Sequence, residues 1–518
     1  MRQFKGIDIT KINLTTNDLI RDAVMNHGDK EFLIYSPYQS VDTFGQFYTK
    51  VNKISNLLKE EFGIKPGDRV STMSENIPEL LYAIMAITNL GALWVPINSM
   101  LVGESLKYIV ETSESLLLLA SNRYKNTVQE VIEKLRYKRI ALAIIEELLK
   151  HAESRSGEYK SPAKPDDPSM IIFTSGTTGF PKGVVHTHNS YIRTAVRGLE
   201  ALGTDSSHRI HLFLPFFHGW AYLVLLGSLY YKCSLILEDR FHEQTYWKVI
   251  KKYNITQDHW TGTVPINLMK LPKTEYEEKV HMKVLGTFGA LYEAMKKRWP
   301  KIEFYSLYGQ TEHPFITEVP PGYQKPGSDG IPKFPDEILI LDDEGNPVPP
   351  GKTGEIVCRC RCGVAMKEYY KNPKATAETL KGNDLYTGDL GYLDEEGHLH
   401  FVGRKKDALR VRGEMVSVEY IEHLISDNSK IAECAIVGYR SSGEKEALKE
   451  DEIVAHVVLR NGEHMTPQEF QEWSEKNLAR FMRPRYIVFR DSLPKTGTER
   501  VQRYKLKEEG IQGAIKLF

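Results

Sequence analysis

FTSGTTGFPKG, Phe173 to Gly183, places three glycines, four Ser/Thr hydroxyls, one proline and one lysine in eleven residues. That content excludes regular structure between Ser175 and Gly183. Its flanks read differently. Met170–Thr174 is a short apolar run that predicts a buried strand, and Val184–Thr187 predicts a second one. Asn189 or Ser190 is expected to cap the helix that begins YIRTAVRGL. Upstream, SPAKPDDPS (Ser161–Ser169) reads as a loop. A Gly-rich turn exposes backbone N–H groups and hydroxyls that bind anionic oxygens, and small residues let the backbone approach a phosphate. The lysine adds a point charge. The stretch therefore reads as a phosphate cradle, against the plainer reading of a flexible Ser/Gly loop. It is not a P-loop, which needs G-x-x-x-x-G-K-[ST] between a strand and a helix. The other G-K-T, Gly351–Lys352–Thr353, has Asn346 where the first glycine should stand, and reads as a solvated turn.

Working outward, 518 residues predict more than one folding unit. Lys+Arg and Asp+Glu both number 68, so no net charge favours nucleic acid or an anionic membrane. Five cysteines, an odd and sparse count, do not suggest a disulfide framework and fit a reducing, cytoplasmic compartment. MRQFKGIDITK lacks the apolar core of a signal peptide. Two uncharged stretches, Leu80–Gly103 and Leu212–Tyr231, raise the question of a membrane span. The first is interrupted by Thr88, Asn89, Gly91 and Pro96, and predicts a buried helix, a turn at Gly91 and the strand ALWVPI. In the second, Pro215, His218 and Gly219 leave a helix of only ~20 Å, short of the ~30 Å hydrocarbon core. Both predict buried core and no transmembrane segment.

Apolar strands (His211–Leu214, Ser234–Leu237, Lys283–Gly286) alternate with amphipathic helices (Ser105–Glu111, Phe241–Tyr253, Tyr292–Trp299). The alternation predicts α/β architecture with mostly parallel sheets. Between Gly327 and Phe401, acidic runs ending in glycine separate short strands and predict an antiparallel β section. After GRKKDALRVRG, helices at Ser417–Ser426 and Pro467–Leu478 and strands at Glu433–Val437, Ile453–Leu459 and Tyr486–Phe489 make a small α+β domain. The expected organisation is residues 1–404 as a large domain of doubly wound α/β subdomains plus a β-barrel section. Residues 405–518 follow as a small mobile domain, with a hinge near Lys406.

With these residues in view, the loop resembles the signature loop of the adenylate-forming superfamily, which holds acyl-CoA synthetases, peptide-synthetase adenylation domains and firefly-type luciferases. Further matches follow in the same order: PFFHGW (Pro215–Trp220), YGQTE (Tyr308–Glu312), YTGD (Tyr386–Asp389) and GRKKDALRVRG (Gly403–Gly413). The resemblance implies that a carboxylate is joined to the α-phosphorus of ATP, pyrophosphate leaves, and a thiol attacks the acyl-adenylate. It implies ATP, Mg2+ and coenzyme A as reactants and cofactor. It assigns the β- and γ-phosphates to Thr174, Ser175, Gly176, Thr177, Thr178, Gly179 and Lys182. The α-phosphate falls to Thr311 and the metal to Glu312. Tyr308, Gly309 and Gln310, with the Gly289–Ala290 backbone, form the adenine side. Asp389 takes the ribose, supported by Arg404. The acyl pocket is assigned to His218, Trp220, Trp260, Thr263 and Gly289, the hinge to Lys406, and the pantetheine channel to Gly413.

The chain departs from the pattern near its end. The family's P-K-T-x-x-G-K lysine orients the carboxylate and α-phosphate; here PKTGTERVQRYKL places Glu499 and Arg500 at the matched positions. Arg500 keeps the charge in a planar fork and is the expected catalytic residue, with Lys495 as the other choice. Cys358, Cys360 and Cys362 alternate and on a strand would share one face, as ordinary packing or as a metal or redox site. His186 and His188 share that spacing and read as core.

Amino-acid-activating members carry an aspartate where His218 stands, so an α-amino acid is disfavoured as substrate. GEMVSVEYIE and ARFMRPRYIVF resemble carnitine/crotonobetaine-type ligases and medium-chain relatives. No carrier domain is expected after Phe518, and the resemblance implies a free-standing acyl-CoA synthetase acting on a small-molecule acid, with a homodimer allowed. Two other classes stay open: an adenylating enzyme with a different acceptor, and a nucleotide-binding paralogue weakened by Arg500.

Overall fold

A computed structural model describes residues 7–135, 140–174, 181–286, 291–319, 325–405, 408–411, 414–440, 451–478, 482–495 and 501–518. Chain contacts divide it into two units, Met1–Ile338 with Cys358–Leu385, and Leu339–Val357 with Tyr386–Phe518.

The first unit is built on two seven-stranded sheets. One runs in the order Glu303–Ser306, Lys283–Gly286, Gln257–Trp260, Arg209–Leu212, Ser234–Leu237, Glu31–Tyr35, Ser40–Thr43, parallel except for the last pair. The other runs Glu368–Tyr369, Lys182–Thr187, Pro168–Thr174, Leu93–Pro96, Arg69–Met73, Leu117–Ala120, Ala141–Ile144, parallel except at its first two pairings. These pairings bear out the predicted α/β alternation. Helix Pro78–Asn89 is buried at every residue but Glu79, and Gly91 turns the chain at φ +73° into strand Leu93–Pro96. Helix Gly219–Tyr231 is buried from Ala221 to Leu229, its apolar surface spent on helix His188–Glu200 and the core. Both uncharged stretches are therefore core, and no helix among the described residues is long and apolar enough to cross a membrane.

Two local expectations need correction. Thr187, not Asn189 or Ser190, caps helix His188–Glu200: its side chain accepts from Ser190 N, and Ser190 Oγ accepts from Thr187 N. The reciprocal box satisfies two orphan N–H groups, which neither Asn189 nor Ser190 would achieve alone. The helix expected from Phe241 begins only at Tyr246, since Phe241 and the following residues lie in a turn-rich lead-in.

Residues 337–404 carry a five-stranded sheet, Glu337–Leu341, Gly354–Arg359, Asp384–Leu393 and Leu380–Lys381 in order, with Leu399–Arg404 paired antiparallel to Asp384–Leu393. The acidic turns form as expected. Asp394 Oδ1 accepts from Glu396 N and His398 N, and Gly397 takes φ +83°. Gly351 sits in an exposed turn at φ +80°, as the failed P-loop match predicts. In the second unit a four-stranded sheet runs Ile431–Tyr439, Glu452–Leu459, Tyr486–Arg490, Ile515–Lys516. Val418, Ile421 and Ile425 of helix Val418–Ser426 and Phe470 of helix Pro467–Asn477 share a core with Ile436, Val457 and Ile487 of that sheet.

Candidate active site

The quoted loop closes a hairpin. Thr174 pairs with Lys182 across strands Pro168–Thr174 and Lys182–Thr187, which brings these two residues of the motif side by side. Ser175, Gly176, Thr177, Thr178 and Gly179 lie outside the described residues, as do Gly289, Ala290, Lys406, Gly413 and Arg500.

The Lys182 ammonium stands 4.7 Å from the Tyr369 ring centroid. Tyr369, on the edge strand opposite Val184, donates its hydroxyl to Glu312 Oε1 at 2.5 Å. A cation and a carboxylate thus flank one phenol. Glu312 is 8% exposed, and that bond is the only side-chain hydrogen bond it makes among the described residues. Its second oxygen has no hydrogen-bond partner among the described residues. Magnesium takes one or two carboxylates together with phosphate oxygens, so Glu312 fits a magnesium nucleotide.

The Tyr308–Glu312 loop is pinned from several sides. Gln310 and His313 exchange backbone hydrogen bonds at 3.1 and 3.0 Å. Tyr308 N donates to Thr317 Oγ1 at 2.6 Å, and Met366 N donates to Glu312 O at 2.7 Å. A Cβ on Gly309 would lie 2.1 Å from Pro314 O, so only glycine fits. His186 Nε2 donates to Thr311 O at 2.8 Å. Burial pushes the His186 pKa down to about 4, so the ring is neutral, and the bond to a carbonyl places its proton on Nε2. Gln310 Nε2 is buried with no acceptor among the described residues. A buried amide donor left open, two residues before Glu312, is a group that a bound ligand would satisfy. Two of these supports, Tyr369 and His186, escape motif reading of the sequence. Tyr369 lies 57 residues from Glu312 and in no motif.

On the acyl side the assigned residues separate. His218 is exposed at the start of helix Gly219–Tyr231, and Thr263 is exposed at the start of helix Thr263–Lys270. Trp220 is half-buried, donates Nε1–H to His259 Nδ1 at 3.0 Å, and packs 5.6 Å from Phe315. Gly219 allows this placement, because a Cβ there would lie 2.1 Å from Tyr191 Oη. Trp260 is different. At 1% exposure it sits among Trp247, Trp299 and Phe304 and donates to Tyr246 Oη. It is a core residue and does not line a surface a substrate could reach.

In the second unit Asp389 is 1% exposed and pairs with Arg404 at 2.8 Å, on neighbouring strands that bring the two residues opposite each other. The YTGD motif thus delivers a buried carboxylate with a cation holding its orientation. Lys495 is engaged by Glu433 at 2.8 Å.

The chain is similar to known proteins over most of its length. Residues 20–370 match the family model described as AMP-binding enzyme, and residues 420–500 match the AMP-binding enzyme C-terminal domain. The chain belongs to the AMP-binding enzyme family, within the adenylate-forming acyl-CoA synthetase superfamily. It is similar to the crotonobetaine/carnitine–CoA ligase of Shigella sonnei (30% identical, covering 88% of this chain and 91% of that protein). The ligase of the same name from Salmonella agona is 28% identical over 93% and 96%. Among solved structures, an anthranilate CoA ligase with anthranoyl-AMP superposes with TM-score 0.83 at 23% identity, covering 97% of this chain and 99% of that one. O-succinylbenzoate coenzyme A synthetase from Bacillus subtilis, with ATP and magnesium, gives 0.82 at 24%, covering 96% and 100%.

Proposed function

We propose that this AMP-forming acid–CoA ligase activates a short carboxylic acid whose tail rests against the Trp220 indole, and that Arg500 serves where relatives use lysine. The observation that carries the reading is the pinned loop Tyr308–Glu312, which holds one carboxylate and one open buried amide donor beside Lys182.

In the first step a carboxylate oxygen attacks the α-phosphorus, the bond to the β-bridging oxygen breaks, and pyrophosphate leaves. Charge accumulates on phosphate oxygens, so preorganised donors and cations dominate. Lys182 and the loop from Thr174 to Gly179 hold the β- and γ-phosphates. Thr311 contacts the α-phosphate, on a backbone that neutral His186 keeps in place. Glu312 is the magnesium carboxylate, oriented by Tyr369, and Mg2+ when bound neutralises phosphate charge. Tyr308 with Gly289–Ala290 receives the adenine, and Gln310 donates to the nucleotide. Asp389, braced by Arg404, accepts from the ribose hydroxyls. His218 faces the carboxylate end of the acid. Arg500 bridges carboxylate and α-phosphate; the pairing of Lys495 with Glu433 favours Arg500 over Lys495.

In the second step the CoA sulfur attacks the acyl carbon, the bond to AMP breaks, and the thiol proton goes to solvent. The division at 404/405, a hinge at Lys406 and a pantetheine channel at Gly413 belong to this step. An indole and a phenyl ring, Trp220 and Phe315, suit either an apolar tail or a quaternary ammonium, the latter through cation–π attraction. The ligases named above are for such an acid. Five unpaired cysteines favour the cytoplasm.

The test is product analysis of ATP with magnesium over acetate, butyrate, octanoate, benzoate, crotonobetaine and carnitine, each with and without CoA. Acid-dependent AMP and pyrophosphate, with AMP rising on addition of CoA, are expected. ADP and phosphate in their place would refute adenylation.

A further inference from the structure

The C-x-C-x-C stretch does not behave as the alternation alone implies. Strand Gly354–Arg359 ends before Cys360, and the three sulfurs part company. Cys362 turns into the core, where its sulfur donates to Asp336 at 3.1 Å and meets the Arg197 guanidinium at 3.0 Å. Cys358 and Cys360 stay together, their sulfurs 3.8 Å apart. All the cysteines are free thiols.

His313 completes a set. One of its ring nitrogens and the Cys358 and Cys360 sulfurs all lie within 4.8 Å of one another. His313 is fully buried, with Nε2 at 3.2 Å from Asp336 Oδ2. That bond uses Nε2, and Nδ1 is the ring nitrogen left to a metal ion, which would displace any proton it carries. Nδ1 is buried and has no hydrogen-bond partner among the described residues.

We infer that Cys358, Cys360 and His313 form a binding site for a thiophilic divalent ion of the Zn2+ class, distinct from the nucleotide site. The spacing is that of a coordination sphere. Zn–S bonds of about 2.3 Å at tetrahedral angles put two thiolate sulfurs roughly 3.8 Å apart. The nitrogen needs to stand roughly 3.5 Å from each sulfur, against ligand atoms that already lie within 4.8 Å of one another. Asp336 acts on His313 as the outer carboxylate that fixes tautomer and ring orientation in many metal sites. Charge also balances. Two thiolates offset a divalent cation, and Asp336 is offset by Arg197, with which it pairs in the core. On binding, each thiol gives up its proton to solvent as its metal–sulfur bond forms. Two protein thiolates and one imidazole leave a fourth position for water at the half-exposed Cys360 edge.

The consequence is local. His313 follows Glu312 directly and exchanges backbone hydrogen bonds with Gln310. An ion there ties Cys358 and Cys360 to the loop that carries Glu312.

The test uses the full-length protein, stripped with chelator and kept in reductant, titrated with Co2+ and then with Zn2+ against a chromophoric chelator. One equivalent should bind, with sulfur-to-cobalt charge-transfer bands in the near ultraviolet. Cys358→Ser and Cys360→Ser should each lower affinity by at least about 100-fold and remove most of that intensity. Cys434→Ser, in the other unit, should change neither. Far-ultraviolet dichroism establishes that the variants fold, and Cys360→Ala at a half-exposed position is the second variant if Cys358→Ser does not. Absence of bands in the wild type, or bands that persist in the Cys358→Ser/Cys360→Ser protein, would overturn the assignment. None of these readouts depends on ligase activity.

Discussion

The loop at Glu312 and the aromatic floor around Trp220 lie in the same unit but are held by different forces. Three groups of the loop are oriented by short, directional bonds: Glu312 by the Tyr369 hydroxyl, the Thr311 carbonyl by His186, and the Tyr308 N–H by Thr317 Oγ1. The floor is held by ring packing, with one directional bond, Trp220 to His259. Directional bonds fix positions to fractions of an ångström, which phosphoryl chemistry requires. Ring packing tolerates changes of shape, which is what selection among acids uses. The difference predicts that loop substitutions lower turnover for every acid, whereas floor substitutions change which acid is used.

The largest effect should come from Glu312→Gln. It keeps the shape and removes the charge, and acid-dependent pyrophosphate release should fall roughly 100- to 1,000-fold with all acids alike. A selective loss with one acid would break the comparison. Tyr369→Phe removes a hydrogen bond to a carboxylate worth about 1.5–3 kcal/mol. At about 1.4 kcal/mol per tenfold, kcat/KM should drop by at least about tenfold, with the magnesium dependence shifted to higher concentration. Trp220→Ala and Trp260→Ala sharpen the other half. The first should raise the acid KM by about tenfold and reorder the acid panel, while ATP KM stays within about twofold. The second should leave the ranking of acids unchanged and cost about 3–5 kcal/mol of stability in denaturant unfolding.

The smallest effect is in pH. Burial holds the pKa of His186, His188 and His259 down at about 4 in the folded chain, against about 6.5 when unfolded. The unfolded chain therefore takes up protons first on acidification. The contribution of these neutral rings is complete above pH ~6.5 and is lost progressively as pH falls toward 4. Thermal midpoints measured from pH 7.5 to 5 should decline, and the decline should be shallower in His188→Gln. A decline equally steep in His188→Gln would show that the His188 ring is charged in the fold.

What the sequence makes legible follows the same division. Phosphate chemistry restricts residue types, so Thr174, Lys182, Glu312 and Asp389 can be read from motifs. The Asp389–Arg404 pair reappears on adjacent strands. The alternation of strands and helices also survives, because burial imposes period and length. Packing partners are not legible. Tyr369 reaches Glu312 through an edge strand of two residues that no periodicity announces. Trp260 reads as pocket because strand Gln257–Trp260 is buried on both faces, so there is no in–out alternation to tell its side. The Thr187 cap is hidden among three residues able to cap, Thr187, Asn189 and Ser190, and only the reciprocal bond to Ser190 selects one. The cysteine alternation misleads because the strand ends one residue before Cys360.

The central claim is that the acid passes through an acyl-adenylate, and the most direct measurement follows the acid's own oxygen. The acid that the product panel selects, labelled with 18O in its carboxylate, is incubated with ATP, magnesium and CoA, and the AMP is analysed by mass spectrometry. One 18O per AMP is expected, because the carboxylate oxygen that attacks phosphorus stays with AMP when the thiol takes the acyl group. AMP without label, or label found in inorganic phosphate, would contradict the account.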